Sequence, residues 1–287
     1  METRWSYTTS ENFDKLIEES KGVCVIPMGC LEKHGLHLPV GTDIIQASAI
    51  TYMASQMETF CVFPDFTFGN QGSPKNPPKG TIALSGDLMY RTLVELCKNI
   101  SRCGFKKIVV YNGHGGNLSL LSHFSSHISD DITKDFVFCN FHIDALVVPN
   151  GMAKILNEKG SGAIPELTKE DEDYILDFYN SKKINGHAGI CETAFIMGSD
   201  PQTVHLDRLG IESGLPTGKS EKYRKVGLGM YGQWGMDVPN WFEGHDPVGV
   251  NERIGKAALR LEAERFARAM KVLKEDDYLA QFQLARQ

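Results

Sequence analysis

The sequence predicts an α/β protein whose central sheet is mostly parallel. Apolar, partly β-branched runs over residues 23–28, 107–111 and 136–141 have the length and composition of buried strands. Amphipathic segments with helical spacing separate these runs. Strands that alternate with helices form right-handed βαβ units, so we expect the strands to run in the same direction.

The first strand leads into a polar, histidine-rich segment and then into a helix. That helix is predicted over residues 44–57 because small and aliphatic residues recur on one of its sides. A second, short strand is predicted at 61–63. Residues 69–80 are rich in Pro, Gly and Asn, a composition that is typical of a loop.

The next helix has the clearest periodicity in the chain. Behind Asp87, apolar residues recur at alternating spacings of four and three, which predicts an amphipathic helix. We expect Asp87 to be its N-cap and Gly104 its C-cap. After the following strand, Asn117 is expected to cap a helix over residues 118–128.

The second half of the chain is less regular. Residues 150–186 are polar and charged, and are expected to form an excursion or a lid. Residues 214–250 are rich in glycine and hold two of the three tryptophans. A helix is predicted over residues 252–274 behind the cap Asn251, and the whole stretch 252–287 is assigned as the C-terminal helical region. No repeat or low-complexity linker interrupts the chain, so we expect residues 1–287 to form a single domain.

Composition excludes several classes of protein. Apolar residues make up 41% of the 287 residues and charged residues 23%, which is typical of a globular protein and not of a disordered one. The net charge of -6 disfavours nucleic acid or an anionic membrane as a partner. No apolar run is long enough to span a bilayer and the N-terminus lacks a signal-peptide pattern, so a cytoplasmic location is expected.

The seven cysteines do not indicate a disulfide framework or a cysteine-based zinc site. Their number is odd, and no pair has the C-x-x-C spacing. Most of them lie inside apolar runs, which is typical of buried, reduced thiols.

The segment after the first strand holds four ligand-type side chains within twelve residues, namely Glu32, His34, His37 and Asp43. In an extended chain Glu32 and His34 point to the same side, and the glycines and proline that follow let Asp43 turn back toward them. Mixed carboxylate and imidazole ligands suit zinc, manganese or iron. The alternative is a polar surface loop with incidental histidines.

Two more segments carry candidate site residues. His114 lies in the Asn-Gly-His-Gly-Gly-Asn run over residues 112–117, directly after a strand, and ligands of α/β folds bind beyond the carboxyl ends of strands. Gly115 and Gly116 would let the backbone approach a ligand closely. A phosphate-binding loop and a plain turn are the alternatives. His187 and Glu192 lie five residues apart in the third segment, where the alternative is a capped turn before a helix.

Together these segments supply enough ligands for two divalent ions. Five residues are assigned as ligands, and the short carboxylate of one of them is suited to bridge the ions: Glu32, His34, Asp43 (the bridge), His114 and Glu192. A bridging hydroxide would be the nucleophile, and His187 would carry the proton to the leaving group. His37 is expected to orient a ligand, and His245 to contact the substrate.

The motifs resemble those of the creatininase (creatinine amidohydrolase) family. The similarity covers roughly residues 20–255 and is carried by segments 32–43, 80–84, 112–117 and 187–193. The resemblance implies a three-layer α/β/α sandwich, a binuclear metal centre, hydrolase activity and homo-oligomers, commonly hexamers. It also implies that Glu32, His34, Asp43 and His114 are metal ligands and that His187 is catalytic, and Glu192 is assigned as a further ligand.

The sequence departs from creatininase itself at two places. Creatininase has a metal-binding glutamate where this chain has Gly116, so Glu192 would have to complete the second metal site. Creatininase also covers its substrate with tryptophans from the region before the catalytic histidine, whereas residues 144–186 contain no Trp. Creatinine is therefore disfavoured as the substrate.

Three functions follow from these residues. The first is a hydrolase that cleaves a small amide or cyclic amide with two divalent ions per subunit, zinc or else manganese or iron. The second is a related enzyme that opens a cyclic diketone, of the diketo-inositol type, at a C–C bond. The third is a non-catalytic metal-binding or small-molecule-binding protein. We interpret the chain as the first, with a small molecule as its substrate.

Overall fold

The fold is a parallel sheet of four strands. The structure is a computed structural model that describes residues 1–71, 77–131, 135–230, 232–279 and 281, without the side chains of 129–131. The strand order is β2-β1-β3-β4, with bounds β1 Val23–Met28, β2 Cys61–Val62, β3 Lys107–Asn112 and β4 Val137–His142. All three pairings are parallel, so the predicted direction of the strands is confirmed.

The register aligns the carboxyl ends of the three longer strands. Met28 pairs with Asn112, and Asn112 pairs in turn with His142. The loops that follow these strands therefore start from one edge of the sheet. The strands predicted at 23–28, 107–111 and 136–141 begin and end within one residue of their predicted bounds.

Helices cover both faces of the sheet, which confirms a three-layer α/β/α arrangement. Successive residues of β1 point to opposite faces: Val23 and Val25 pack with one group of helices, and Cys24 and Ile26 pack with the other. The helices are α1 Phe13–Glu19, α2 Thr42–Met57, α3 Gly86–Arg102, α4 Leu118–Asp131, α5 Met152–Lys159, α6 Lys169–Asn180, α7 Ile190–Ser199, α8 Glu221–Arg224, α9 Gln233–Asp237 and α10 Glu252–Glu275.

Several helix boundaries differ from their sequence predictions: α2 begins two residues earlier than predicted and α4 ends three residues later. The N-cap of α3 is Ser85, whose hydroxyl accepts a hydrogen bond from the Leu88 amide, and Asp87 lies inside the first turn. An acidic side chain is also favourable there, because it faces the positive end of the helix dipole. The C-terminal helix ends at Glu275 and does not continue through 252–287, of which 280 and 282–287 lie outside the described residues. Its predicted cap Asn251 is confirmed.

Residues 150–186 form helices α5 and α6, which pack against the core. Met152, Leu156, Ile175 and Phe178 are buried in the same apolar cluster as α7 and α10. Lys169, Glu170 and Asp173 are exposed on α6, whereas Asp171 and Glu172 are buried and accept hydrogen bonds. Within the described part of the chain, no helix is long and apolar enough to cross a membrane.

Candidate metal centre and substrate pocket

The carboxyl edge of the sheet brings together the side chains of four chain segments. Glu32 and His34 lie in the loop after β1, and Asp43 lies in the first turn of α2. His114 follows β3, and Glu192 lies in the first turn of α7. All five residues predicted as ligands therefore meet in one place.

Asp43 lies at the centre of this group and faces a different histidine with each carboxylate oxygen. Its Oδ1 is 3.3 Å from His34 Nε2, which is also 3.6 Å from Glu192 Oε2. Its Oδ2 is 2.9 Å from His114 Nδ1, which is also 2.9 Å from Glu32 Oε1. The five residues thus form two sets of three, and Asp43 belongs to both sets.

The residues fit a metal centre. Glu32 Oε1, His34 Nε2 and Asp43 Oδ2 are buried and have no hydrogen-bond partner among the described residues. Such buried atoms destabilise a fold unless a ligand satisfies them. Ligands about 2.0–2.2 Å from one tetrahedral ion lie about 3.3–3.6 Å from each other, which is close to the spacing within each set.

Backbone carbonyls determine which ring nitrogen of His34 and of His114 donates a hydrogen bond and which one faces the carboxylates. His34 Nδ1 lies 3.1 Å from the carbonyl oxygen of Glu32, and His114 Nε2 lies 3.2 Å from that of Asn70. Because a carbonyl oxygen only accepts hydrogen bonds, these two nitrogens donate. The opposite nitrogens, His34 Nε2 and His114 Nδ1, face the carboxylates, as expected of oriented metal ligands.

The ionisable side chains of the ligand group strongly shift one another's pKa values. Burial disfavours the protonated form of His34, but the carboxylates of Asp43, Glu192 and Glu32 outweigh it and raise the pKa of His34 to about 10. Burial, with the charge of Asp43, raises the pKa of Glu192 to about 7. The His114 and His34 charges overcome burial and hold the pKa of Asp43 below its ordinary range. In the metal-free protein, protons on the imidazoles therefore balance the carboxylates.

His187 lies beside the five ligands. Its ring stacks on His34 with 4.0 Å between centroids, and its Nδ1 is 3.7 Å from Glu32 Oε1. Its Nε2 donates to the carbonyl oxygen of Lys33 at 2.8 Å. Burial, followed by the charge on His34, lowers the pKa of His187 to about 4. The ring is therefore neutral near pH 7, with an unprotonated Nδ1 beside the carboxylates.

A cavity of about 870 Å³ opens onto the group. Trp234 and Trp241 form part of its wall, with 5.5 Å between their ring centroids, and Trp234 lies 5.1 Å from the ring of His187. Trp234 Nε1 donates to Glu243 Oε2 at 3.0 Å, which fixes the indole ring. No lysine or arginine is among the described residues that line the cavity. The cavity wall is thus apolar apart from the ligand cluster and a few neutral polar groups.

Of the other predicted site residues, two line the cavity and two do not. Gly115 and Gly116 line the cavity. His37 is buried outside the ligand group, with Nε2 3.0 Å from the Ala188 carbonyl oxygen, and burial lowers its pKa to about 4. His245 is not among the described residues that line this cavity, and its Nδ1 accepts a hydrogen bond from the Ile184 amide, so its contact with substrate stays a prediction.

The sequence analysis missed several residues of the site. His142 lines the cavity, and its position at the carboxyl end of β4, paired with Asn112, was the available signal. Cys30 was assigned only as a buried thiol, but its sulfur lies within 4.8 Å of ligand atoms of Asp43 and His114. Trp234 and Trp241 lie 48 and 55 residues after the end of segment 144–186, where the resemblance implied such residues, so no local pattern in the sequence assigned them to the site.

The fold and the site define an α/β protein with a buried carboxylate–imidazole cluster, suited to divalent metal, at the carboxyl edge of a parallel sheet. Residues 6–270 match the family model described as creatininase, creatinine amidohydrolase. This chain therefore belongs to the creatininase family, a family of hydrolases, as its motifs predicted.

Two relatives illustrate the range of the family. The chain is 25% identical over 201 residues to the mycofactocin precursor peptide peptidase of Mycobacterium ulcerans (strain Agy99), a match that covers 67% of this chain and 64% of that protein. It is 25% identical over 205 residues to the creatinine amidohydrolase of Pseudomonas putida, which covers 70% of this chain and 73% of that protein.

Solved structures show the same fold at lower identity. A mutant creatininase of the Zn-Zn type has a TM-score of 0.73 at 17% identity, covering 96% of this chain and 100% of that chain. A creatininase described as the Mn form has a TM-score of 0.70 at 17% identity, with the same coverage of both chains. The three-layer architecture is therefore shared with creatininase.

Proposed function

We propose that the protein is a hydrolase with two divalent metal ions that cleaves a carbon–nitrogen bond in a small amide or cyclic amide. The observation that carries this proposal is the division of the Asp43 carboxylate between two ligand sets. One oxygen faces His34 and Glu192, and the other faces His114 and Glu32. A carboxylate shared in this way is the bridge that a two-metal site requires.

Zinc, or else manganese or iron, is the metal that this donor set suits. The ligands mix carboxylate oxygens with imidazole nitrogens, a combination that these ions accept. The named forms of the similar creatininases, Zn-Zn and Mn, agree with this choice. When bound, the ions supply Lewis acidity toward a carbonyl and toward water.

His187 is proposed to carry a proton from the attacking water to the leaving nitrogen atom. Its Nδ1 is unprotonated because Nε2 donates to the Lys33 carbonyl, so Nδ1 can accept a proton beside Glu32. The same nitrogen can then donate that proton to the leaving nitrogen atom. Trp234 and Trp241 surround the ring and limit the access of bulk water. A non-catalytic binding protein has no need of this free nitrogen.

The cavity favours an uncharged substrate. No lysine or arginine lines it among the described residues, so no described side chain there would pair with a substrate carboxylate or phosphate that lies away from the metal ions. The volume of about 870 Å³ lies in the upper part of the range for small-molecule sites, which is about 300–1,000 Å³. We therefore favour a neutral amide larger than creatinine. A cytoplasmic location and a homo-oligomer, such as a hexamer, stay predictions.

An activity screen with the metal-loaded protein tests this function. The panel contains lactams, formamides, short peptide amides, creatinine and cyclic diketones, each with and without a chelator. We expect chelator-sensitive release of an amine from neutral amides. Turnover of cyclic diketones alone would favour C–C cleavage, and an absence of turnover on every substrate would contradict the proposal.

A further inference from the structure

We propose that Cys30 is a metal ligand on the His114 side of the centre, a role that rests on the proposed two-metal function. Cys30 lies in the chain directly after β1, two residues before Glu32, and is fully buried. Its sulfur would join the set formed by Glu32, Asp43 and His114. The ion on this side would then have one thiolate among its donors, whereas the ion on the His34 side would have none.

The distances allow this coordination. Cys30 Sγ, a carboxylate oxygen of Asp43 and a ring nitrogen of His114 all lie within 4.8 Å of one another. A zinc ion about 2.3 Å from sulfur and about 2.0–2.1 Å from nitrogen places those two atoms roughly 3.5 Å apart. Only a small closure of the three side chains is therefore needed.

A second observation points to a ligand at the same place. Asp43 Oδ2, the oxygen on this side, is buried and has no hydrogen-bond partner among the described residues, and Glu32 Oε1 shares both properties. These atoms lie 2.9 Å from His114 Nδ1. Cys30 thus adjoins unpartnered acceptors and is not an isolated buried thiol.

Gln71 orients the sulfur of Cys30, and the residue at position 116 supplies no donor in its place. Gln71 Nε2 donates to Cys30 Sγ at 3.5 Å and also to Glu32 Oε2, so one amide holds both acceptors. Gly116 supplies no donor, and a Cβ there would lie 2.4 Å from the Asn70 carbonyl oxygen and from His114 Nε2, so a side chain at this position would require these neighbours to shift.

The thiolate has consequences for charge and for metal choice. Binding displaces the thiol proton, which leaves Cys30 with one negative charge. With Glu32, Asp43 and Glu192 the centre then carries about four negative charges, which match two divalent ions. Because thiolate is a soft ligand, the His114 side is expected to prefer zinc, iron or cobalt over manganese.

Cobalt(II) absorption tests the assignment without any assay of activity. Titration of metal-free protein with Co²⁺ is expected to give visible d–d bands and a near-ultraviolet thiolate-to-cobalt band. In Cys30→Ser the near-ultraviolet band is expected to disappear while visible bands remain. Cys97→Ser is the matched control, because Cys97 is buried in an apolar cluster that contains none of the proposed ligands and should not change either feature.

The possible outcomes distinguish a failure of the Cys30 assignment from a failure of the proposed metal centre. Visible bands without a thiolate band in the wild type would overturn the role of Cys30 and leave the metal centre intact. Retention of the full band in Cys30→Ser would also overturn it. An absence of all cobalt bands would overturn both proposals. If Cys30→Ser does not fold, X-ray absorption of the zinc-loaded wild type decides: a sulfur neighbour at about 2.3 Å supports the assignment, and only nitrogen and oxygen neighbours overturn it.

Discussion

At the scale of single residues, the carbonyl oxygen of Lys33 determines what His187 can do. It accepts the proton of Nε2 at 2.8 Å, so the basic nitrogen of the ring is Nδ1. Stacking on His34 and the edge of Trp234 hold the ring in this orientation. His187 is thus positioned as a proton acceptor by three neighbours that do not themselves need to react.

Replacement of this histidine tests its role. His187→Gln keeps an N–H for the Lys33 carbonyl but removes the basic Nδ1, so we expect kcat/KM to fall by about 10²–10⁴. Metal content measured by atomic emission should stay at the wild-type level. His205→Gln, at an exposed position away from the cavity lining, is the control and should change neither quantity. Unchanged kcat/KM in His187→Gln would exclude proton transfer by this residue.

At the scale of secondary-structure elements, the contact between α7 and α10 positions one of the ligands. Gly198 and Gly255 let the two helix backbones touch, because a Cβ on Gly255 would lie 2.3 Å from the Gly198 nitrogen. Helix α7 carries Glu192 in its first turn. The packing of these helices therefore determines where the Glu192 carboxylate meets His34.

A methyl group at this crossing should force the helices apart. Gly255→Ala is expected to destabilise the protein by about 1–3 kcal/mol through overpacking, measured by urea unfolding. Gly86→Ala is the control, since a Cβ there meets nothing within 4 Å. We expect that variant to be neutral or slightly more stable. Equal stability of Gly255→Ala and the wild type would contradict the close contact.

A second junction joins α6 to the start of α10 through Asp171. Its carboxylate completes the capping box with Thr168 and accepts hydrogen bonds from Asn251 and from Nε and Nη2 of Arg253. Burial alone would raise the pKa of Asp171, but these donors outweigh burial and hold the pKa below its ordinary range. The ionised form is therefore the one that stabilises the fold.

This shift predicts a pH-dependent loss of stability. Because the pKa of Asp171 is lower in the folded than in the unfolded protein, its contribution is present above about pH 4 and is lost as pH falls below that value. Asp171→Asn should lower the free energy of unfolding by roughly 1–2 kcal/mol at pH 7 and by less at pH 3. The value at pH 7 allows for solvent screening of the half-exposed Arg253 guanidinium.

Asp173→Asn is the matched control for the Asp171 measurement. Asp173 is exposed and is paired with Lys169 on the same helix. An exposed pair of this type contributes little to stability. A cost for Asp171→Asn that does not change between pH 7 and pH 3 would exclude the ionised carboxylate as its source.

At the scale of the whole molecule, the pattern of strands and ligands was predictable, and the environment of the site was not. Strand runs are local in sequence, and parallel pairing brings their carboxyl ends together, so His34 and His114 could be assigned to one edge. Cys30 lies beside Asp43, and Trp234 beside His187, only through tertiary contacts. Their local sequence is typical of a buried thiol and of an irregular loop, respectively.

The same limits apply to His245, whose expected contact with substrate stays a prediction. Its position in the glycine-rich segment near Trp241 suggested a contact with substrate. The chain instead turns there so that the His245 amide and ring both bond to the backbone of Ile184. Proximity in sequence to a pocket residue did not determine the direction of this side chain, because an isolated bridge between Asn185 and Gly244 positions the loop.

The metal content of the Asp43→Ala variant tests the central proposal most directly. Because Asp43 belongs to both ligand sets, its removal should eliminate both ions rather than one. After reconstitution with zinc and removal of free metal, atomic emission is predicted to find about two ions per chain in the wild type and about none in Asp43→Ala. Wild-type metal content in Asp43→Ala, or no metal in the wild type, would contradict a shared two-metal centre.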